Sequence, residues 1–271
     1  MTHPDKQVRI LGVKINACTI DEAIEEIIKG ADSPRYVVKP YVEFFDTDQH
    51  QEVLNQSWLT LPDGVALQWA AHFQNTSGSL WQLFKTGAQI VLSPQKLTTV
   101  LPQRFAGTNF TWPLLQRAAH EHKTIYLVGS PINQSISATA DYLAEMIPGL
   151  QISGVMPGRD DSGVFSENLE QQLVRQLERL EPDIVLIGIG FPRQEYLAQR
   201  LTKQLNKGIF IGEGGTFDYQ QFGGQRRKAP RWMQTVGLEW LWRLLLEPSR
   251  WRRQLAIPRF MRRVYRDLHS R

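Results

Sequence analysis

What most constrains this chain is a series of apolar segments separated by helix-length stretches. Thr124-Ile125-Tyr126-Leu127-Val128, Leu150 to Val155, Asp183-Ile184-Val185-Leu186-Ile187 and Gly208-Ile209-Phe210-Ile211 read as strands. Trp112 to His122, about Asn133 to Met146, Glu167 to Leu180 and Gln194 to Leu205 read as the helices before and between them. A strand without a polar face must be covered on both sides, and crossover helices give a parallel sheet that cover. The expected fold is therefore α/β, a Rossmann-like, largely parallel sheet flanked by helices.

The N-terminal part adds shorter elements. Val8 to Ile15 alternates like an edge or first strand. Thr19 and Glu22 form a capping-box pair at the start of a helix that stops at Gly30. Tyr36 to Val38 is a short strand, a helical pattern covers about Asp46 to Ser57, and Trp58 to Leu61 is a strand ending abruptly at Pro62-Asp63-Gly64. A helix restarts at Val65 to Ala71. From His72 to Gln103 the only charges are Lys85 and Lys96, and this poorly patterned stretch reads as an excursion from the main fold.

Charge divides the chain. Residues 226–271 carry 13 Lys/Arg against Glu239, Glu247 and Asp267, whereas the other 225 residues hold 18 Lys/Arg against 24 Asp/Glu. The tail also carries Trp232, Trp240, Trp242 and Trp251. Arginine interleaved with indole suits an anionic bilayer boundary or nucleic acid. The expected organisation is a catalytic domain at 1–225, with 72–103 as an extra piece, and a basic, helical C-terminal appendage at 226–271.

No run of about 18 uncharged apolar residues appears, so no spanning helix is expected. The N-terminus reads as the start of the domain rather than a signal segment. Cys18 stands alone, which excludes an internal disulfide framework; its apolar neighbours Ile15, Ala17 and Ile20 suggest a packed thiol. A cytosolic protein that meets the membrane from its inner face fits these features.

In parallel sheets ligands bind beyond the carboxyl ends of the strands. Three such ends are glycine-rich: Gly129-Ser130-Pro131, Gly188-Ile189-Gly190-Phe191-Pro192 and Gly212-Glu213-Gly214-Gly215-Thr216. None completes a GxGxxG fingerprint, so a nicotinamide or flavin enzyme is weakly supported. Asp63, held between proline and glycine at a strand end, suits a general base, with a helix N-cap as the competing reading. Arg193, Gln194 and Glu195 open a helix facing the same crevice, although Glu195 also suits the helix dipole. Asp46-Thr47-Asp48 resembles a metal-holding acidic pair but opens a helical stretch, where acids are favoured anyway. His120 and His122 point apart on a helix, which disfavours a metal site.

Taken in order, Leu61-Pro62-Asp63-Gly64, Arg104-Phe105-Ala106-Gly107, Gly190 to Glu195, Gly214-Gly215-Thr216-Phe217-Asp218, Ala229-Pro230-Arg231-Trp232 and Gly237 to Leu244 closely resemble the WecG/TagA/CpsF glycosyltransferases (glycosyltransferase family 26). The resemblance runs from about Ile10 to Pro258. It implies transfer of N-acetylmannosamine or a similar sugar from a UDP donor to a polyprenyl-diphosphate-linked glycan, in the synthesis of cell-surface polysaccharide. By the same resemblance Asp63 is the general base, Gln194 a substrate-binding glutamine and Arg104 an arginine that holds donor or acceptor. An inverting, metal-independent reaction without a cofactor is implied. Gly129, Gly190, Gly214 and Gly215 are then candidate backbone donors to the departing UDP, with Arg193, Glu195 and Asp218 as neighbouring substrate contacts.

The chain departs from the family pattern in three places. Lys39 and Tyr41 stand where a threonine and an asparagine are usual, which bears on sugar specificity and makes both candidate substrate contacts. Arg104 follows Asp63 by 41 residues, farther than in the family, so the 72–103 stretch is extra. Glu213 is unexpected beside a diphosphate. Arg226, Arg227, Arg231, Arg250, Arg252 and Arg253 are candidate contacts to the diphosphate or to anionic lipid, and Arg259, Arg262, Arg263 and Arg266 extend that basic foot. Two alternatives stay open: a catalytically weak membrane-docking partner of polysaccharide enzymes, and a metal-dependent transferase using Asp46 and Asp48. Nothing in the body supports a nucleic-acid partner, and homo-oligomerisation is left open.

Overall fold

The computed structural model describes residues 6–132, 134–230, 233, 239–246 and 255–270. Six strands form one all-parallel sheet: β3 (Arg35–Val38), β4 (Leu59–Thr60), β5 (Thr124–Gly129), β6 (Gln151–Pro157), β7 (Ile184–Gly188) and β8 (Ile209–Gly212). Their order across the sheet is β4-β3-β8-β7-β5-β6, with every neighbouring pair parallel. The expected α/β architecture is the one observed.

Alternation along each strand explains the double-sided burial. Tyr36, Val38, Tyr126, Val128, Val185, Ile187 and Phe210 pack into one core. Val37, Ile125, Leu127, Ile184, Leu186, Ile209 and Ile211 pack into the other. Helices α1 (Ile20–Lys29), α5 (Gly107–His120) and α6 (Ile136–Met146) cover the second face, and α3 (Val65–Phe73), α7 (Glu167–Leu180) and α8 (Arg193–Gln204) cover the first. At α1 the capping box is complete: Glu22 N donates to Thr19 Oγ1 at 3.2 Å and Thr19 N donates to Glu22 Oε2 at 2.8 Å.

Two readings of the N-terminal part change. The single strand expected over Val8 to Ile15 is a hairpin of β1 (Gln7–Ile10) and β2 (Val13–Asn16), a two-stranded antiparallel sheet apart from the main one. Its two-residue turn has positive φ at both Leu11 (47°) and Gly12 (81°), the geometry that lets tight hairpins follow strand twist. The helix expected over Asp46 to Ser57 is shorter. A 3₁₀ turn at Val42–Phe45 precedes a bend, and only α2 (Gln51–Asn55) is α-helical.

The 72–103 stretch folds as α4 (Leu80–Leu92) and a 3₁₀ turn at Pro94–Leu97. Trp69 Nε1 on α3 donates to Thr86 Oγ1 on α4 at 2.9 Å, which ties the excursion to the body. In the basic tail α9 spans Glu239–Leu246 and α10 spans Ala256–His269. α10 is seated on the body: Ala256, Phe260 and Val264 are buried, and Phe260 meets Phe45 at 5.3 Å and Trp69 at 6.4 Å between ring centroids. No helix among the described residues is long and apolar enough to cross a membrane.

Candidate active site

Chain ends of β3, β4, β7 and β8 converge at the carboxyl edge of the sheet. Three backbone hydrogen bonds draw the pieces together. Leu61 N donates to Val38 O at 2.9 Å, Asp63 N to Pro40 O at 2.9 Å, and Phe105 N to Pro62 O at 2.8 Å. The last of these closes the long separation between Asp63 and Arg104 and brings both half-buried residues to one edge. The N-cap position of α3 is Gly64, at φ 100°, so Asp63 stands one residue before the cap.

Gln194, in the first turn of α8, is a strut between two strand-end loops. Its Oε1 accepts from Gly190 N at 3.2 Å and from Gly214 N at 2.9 Å, while its Nε2 donates to Glu195 Oε1 at 2.8 Å. An amide offers two lone pairs and two N–H groups, so this leaves one N–H for a ligand. Gly190 and Gly214 adopt φ of 84° and 57°, and an added Cβ at either would meet no atom within 4 Å. Both fit close backbone approach by a ligand. Gly129 does not share that setting, because a Cβ there would stand 3.0 Å from the Phe217 ring.

Glu195 lies beneath Gln194 and is 1% exposed. Burial pushes its carboxyl up to about 7, against smaller opposing effects from its hydrogen bonds with Gln194 and the backbone and from the charge of Lys39. Its Oε2 has no hydrogen-bond partner among the described residues. The sequence had placed Glu195 at the substrate or at the helix dipole; the fold turns it inward.

Lys39 and Glu213 follow adjacent strands. The register Val37↔Ile211, extended by two residues, sets them side by side, on the face that carries α5. Lys39 Nζ lies 2.8 Å from Glu213 Oε2, with side chains 5% and 0% exposed. The contact is ionic rather than a directed hydrogen bond, since the ammonium meets hydrogen-bond geometry with no neighbour among the described residues. Thr111 Oγ1 on α5 donates to the same carboxylate oxygen at 2.7 Å, and the Phe110 ring lies 5.2 Å from the ammonium. Glu213 is therefore a neutralised, buried group and not a bare carboxylate facing a diphosphate. Lys39, expected to line the crevice, points into this pair. Thr111 and Phe110 carry no sequence signal for the site, because the contact joins residues about a hundred positions apart.

Tyr41 remains at the rim, half-buried, with its ring 4.9 Å from Phe44 and 6.3 Å from Phe191, in the turn that holds the cis Phe191–Pro192 bond. Asp218 is held by Arg226 Nη1 at 2.9 Å and accepts from Ile132 N at 2.8 Å, which anchors the loop after β5. Arg226 also reaches the β8 loop, where a Cβ on Gly215 would stand 3.1 Å from its Nη1. Arg193 and Arg227 are exposed. Arg231, Arg250, Arg252 and Arg253 lie outside the described residues. Cys18 is buried, and burial, with Glu22 adding to it, pushes its thiol up to about 12, as a packed thiol should behave.

The acidic pair Asp46 and Asp48 is already partnered. Arg259 Nη2 lies 3.0 Å from Asp46 Oδ2, and Arg263 Nη2 lies 2.6 Å from Asp48 Oδ1. Two of the arginines read as lipid contacts thus fasten α10 to the turn after β3. No cluster of three or more His, Cys, Asp or Glu that could hold a metal occurs among the described residues.

Comparison with known proteins identifies the family. The family model described as "Glycosyl transferase WecG/TagA/CpsF family" matches residues 8–80 and 80–271. An N-acetylglucosaminyldiphosphoundecaprenol N-acetyl-beta-D-mannosaminyltransferase of Bacillus subtilis strain 168 is 31% identical over 216 residues, covering 80% of this chain and 72% of the relative. A protein of the same description from Bacillus spizizenii strain W23 is 25% identical over 222 residues, covering 82% and 74%. With the order of its motifs, the convergence of Asp63, Arg104 and Gln194 at one sheet edge, and a match over nearly its whole length, the chain belongs to the WecG/TagA/CpsF family of glycosyltransferases.

Proposed function

We propose that this glycosyltransferase moves an N-acetylmannosamine-like sugar from a UDP donor to a polyprenyl-diphosphate-linked glycan at the inner face of a membrane, with inversion. Asp63 takes the proton of the acceptor hydroxyl. The freed oxygen attacks the anomeric carbon as the bond to the diphosphate of UDP breaks, so one glycosidic bond forms and one is lost. The departing UDP carries the negative charge, which the guanidinium groups of Arg104 and Arg226 are suited to receive, while Gln194 holds the Gly190 and Gly214 loops in place through their N–H groups.

The observation that carries this reading is the fixing of Asp63 by Pro40 O at the sheet edge, beside Arg104, while Gly64 takes the cap of α3. The names of the two Bacillus relatives, both N-acetylglucosaminyldiphosphoundecaprenol N-acetyl-beta-D-mannosaminyltransferases, support the choice of sugar and of a lipid-linked acceptor. A metal-dependent route through Asp46 and Asp48 has less support, because a guanidinium already neutralises each carboxylate.

The test is transfer of sugar from UDP-N-acetylmannosamine to a polyprenyl-diphosphate-linked N-acetylglucosamine, read by mass. Turnover should persist in EDTA, and Asp63→Asn should lower it by roughly 10²–10⁴ while donor binding holds. Unchanged turnover in that variant removes Asp63 as the base. No transfer by the unaltered protein, with tight UDP binding, favours a docking partner over an enzyme.

A further inference from the structure

The outer side of α4 is apolar where a soluble helix would be polar. Trp81, Phe84, Ala88, Val91 and Leu92 share one exposed stripe, with Trp81 72%, Phe84 70% and Leu92 79% exposed. Thr86 and Ile90 face the body, and Lys85 is the only charge on the helix. Such a cluster of large exposed side chains marks an interaction surface.

Helix α10 lies alongside. A Cβ added to Gly87 would stand 3.0 Å from Met261 Cε, and one added to Gly78 would stand 2.7 Å from Leu268 Cδ2. The two helices bound a groove of about 520 Å³, lined by Leu83, Phe84, Ala88, Pro258, Met261 and Arg262 among others. Arg262 and Arg266 are exposed on α10 and make no ion pair among the described residues. Between Asp63 and Glu121 the chain has no Asp or Glu at all, so α4 brings no acid to the face, and α10 carries four arginines against the single acid Asp267.

We propose that α4 and α10 together form a membrane-docking face for an anionic bilayer. Trp81, Phe84 and Leu92 enter the boundary between headgroups and acyl chains, and Arg262 and Arg266 meet lipid phosphates. The 72–103 excursion is thereby the apolar half of the foot, and α10 the basic half. A second copy of the chain fits less well: a two-fold contact would set Arg262 and Arg266 near their own counterparts, with no acid on α4 to relieve them. The basic row also begins at Arg259, bound to Asp46 in the segment leaving β3, so the docking face adjoins the crevice. At that position the face would present a lipid-linked acceptor to the crevice, and only this use of it rests on the proposed activity.

The test is co-sedimentation of the full chain with phosphatidylcholine vesicles containing phosphatidylglycerol. Trp81→Ser with Phe84→Ser should weaken partitioning by roughly tenfold or more, since two aromatic side chains leave the interface. Arg262→Glu with Arg266→Glu should weaken binding to anionic vesicles and leave the weak binding to pure phosphatidylcholine unchanged. Brominated lipid should quench part of the tryptophan fluorescence, and Trp81→Phe should remove that part. Both paired variants should keep the melting temperature and the transfer to a short-chain, water-soluble acceptor, because these side chains are exposed. Unchanged vesicle partitioning in Trp81→Ser/Phe84→Ser overturns the proposal. So does a change from dimer to monomer in that variant with vesicle binding intact, which would assign the face to a second copy. Failure of the unaltered protein to transfer to the short-chain acceptor would count against the catalytic reading and leave the docking face standing.

Discussion

Lys39 Nζ sits 2.8 Å from Glu213 Oε2 in the interior, at the ends of two adjacent parallel strands and within reach of the crevice. Neither residue is readily tolerated there alone. A buried ion pair often contributes little net stability, but removing one partner strands the other's charge. Lys39→Met should therefore destabilise the fold by about 3–5 kcal/mol, and Glu213→Gln by a comparable amount, whereas the double variant should lie close to the unaltered protein. Urea denaturation of the full cycle measures this. Additive single and double costs would show that the two groups are not coupled.

Glu195 makes the fold sensitive to pH. Its folded carboxyl is pushed up to about 7 by burial, from the ordinary glutamate value of 4.5, so the folded state holds its proton where the unfolded chain has lost it. Its contribution is fully present below the unfolded value and is lost as pH rises through about 7. Glu195→Gln keeps an acceptor for Gln194 and cannot ionise. Relative to the unaltered protein it should gain stability between pH 5 and pH 8, by at most roughly 3 kcal/mol. Melting curves at both pH values check the sign, and a constant difference between the two proteins would exclude Glu195 as the titrating group.

Gln194 gives a different readout. Its Oε1 holds the N–H groups of Gly190 and Gly214 together, so Gln194→Ala frees the two loops at the proposed donor site. A shift of about 1 Å at such a site costs roughly 10²-fold in rate. The variant should lose turnover by about that factor and also weaken UDP binding, measured by calorimetry. A fall in turnover with UDP affinity unchanged would point instead to direct contact between the amide and the sugar or acceptor.

How legible was this in the sequence? The capping box of Thr19 and Glu22 and the helix at Glu167–Leu180 were readable because their signals are local. The parallel sheet followed from strands with no polar face. The Leu11-Gly12 turn was missed, since Leu at positive φ carries none of the usual hairpin chemistry. Asp63, Arg104 and Gln194 could be named from motifs, yet their convergence depends on strand order, which no local pattern encodes. The Lys39–Glu213 pair shows the same limit. Each residue looked anomalous on its own strand, and only the β3–β8 register makes them complementary.

The basic tail is the element whose meaning changed most, and it yields the last expectation. Charge suggested a basic, membrane-proximal appendage, and α10 is in addition part of the body: Phe260 and Val264 are 1% and 0% exposed, and Arg263 Nη1 donates to Phe45 O at 2.5 Å. Phe260→Ala should therefore cost about 3–5 kcal/mol, as for a core aromatic. Truncation before α10 should expose Trp69 and Phe73 and lower the melting temperature of the whole protein, beyond any effect on vesicle binding. Arg259→Ala, whose pair with Asp46 is more than half exposed on the arginine side, should change stability little, by under about 1 kcal/mol. Thermal melts of the three variants separate the roles. If truncation leaves the melting temperature unaltered, α10 is a foot alone and its apolar seat contributes nothing to the body.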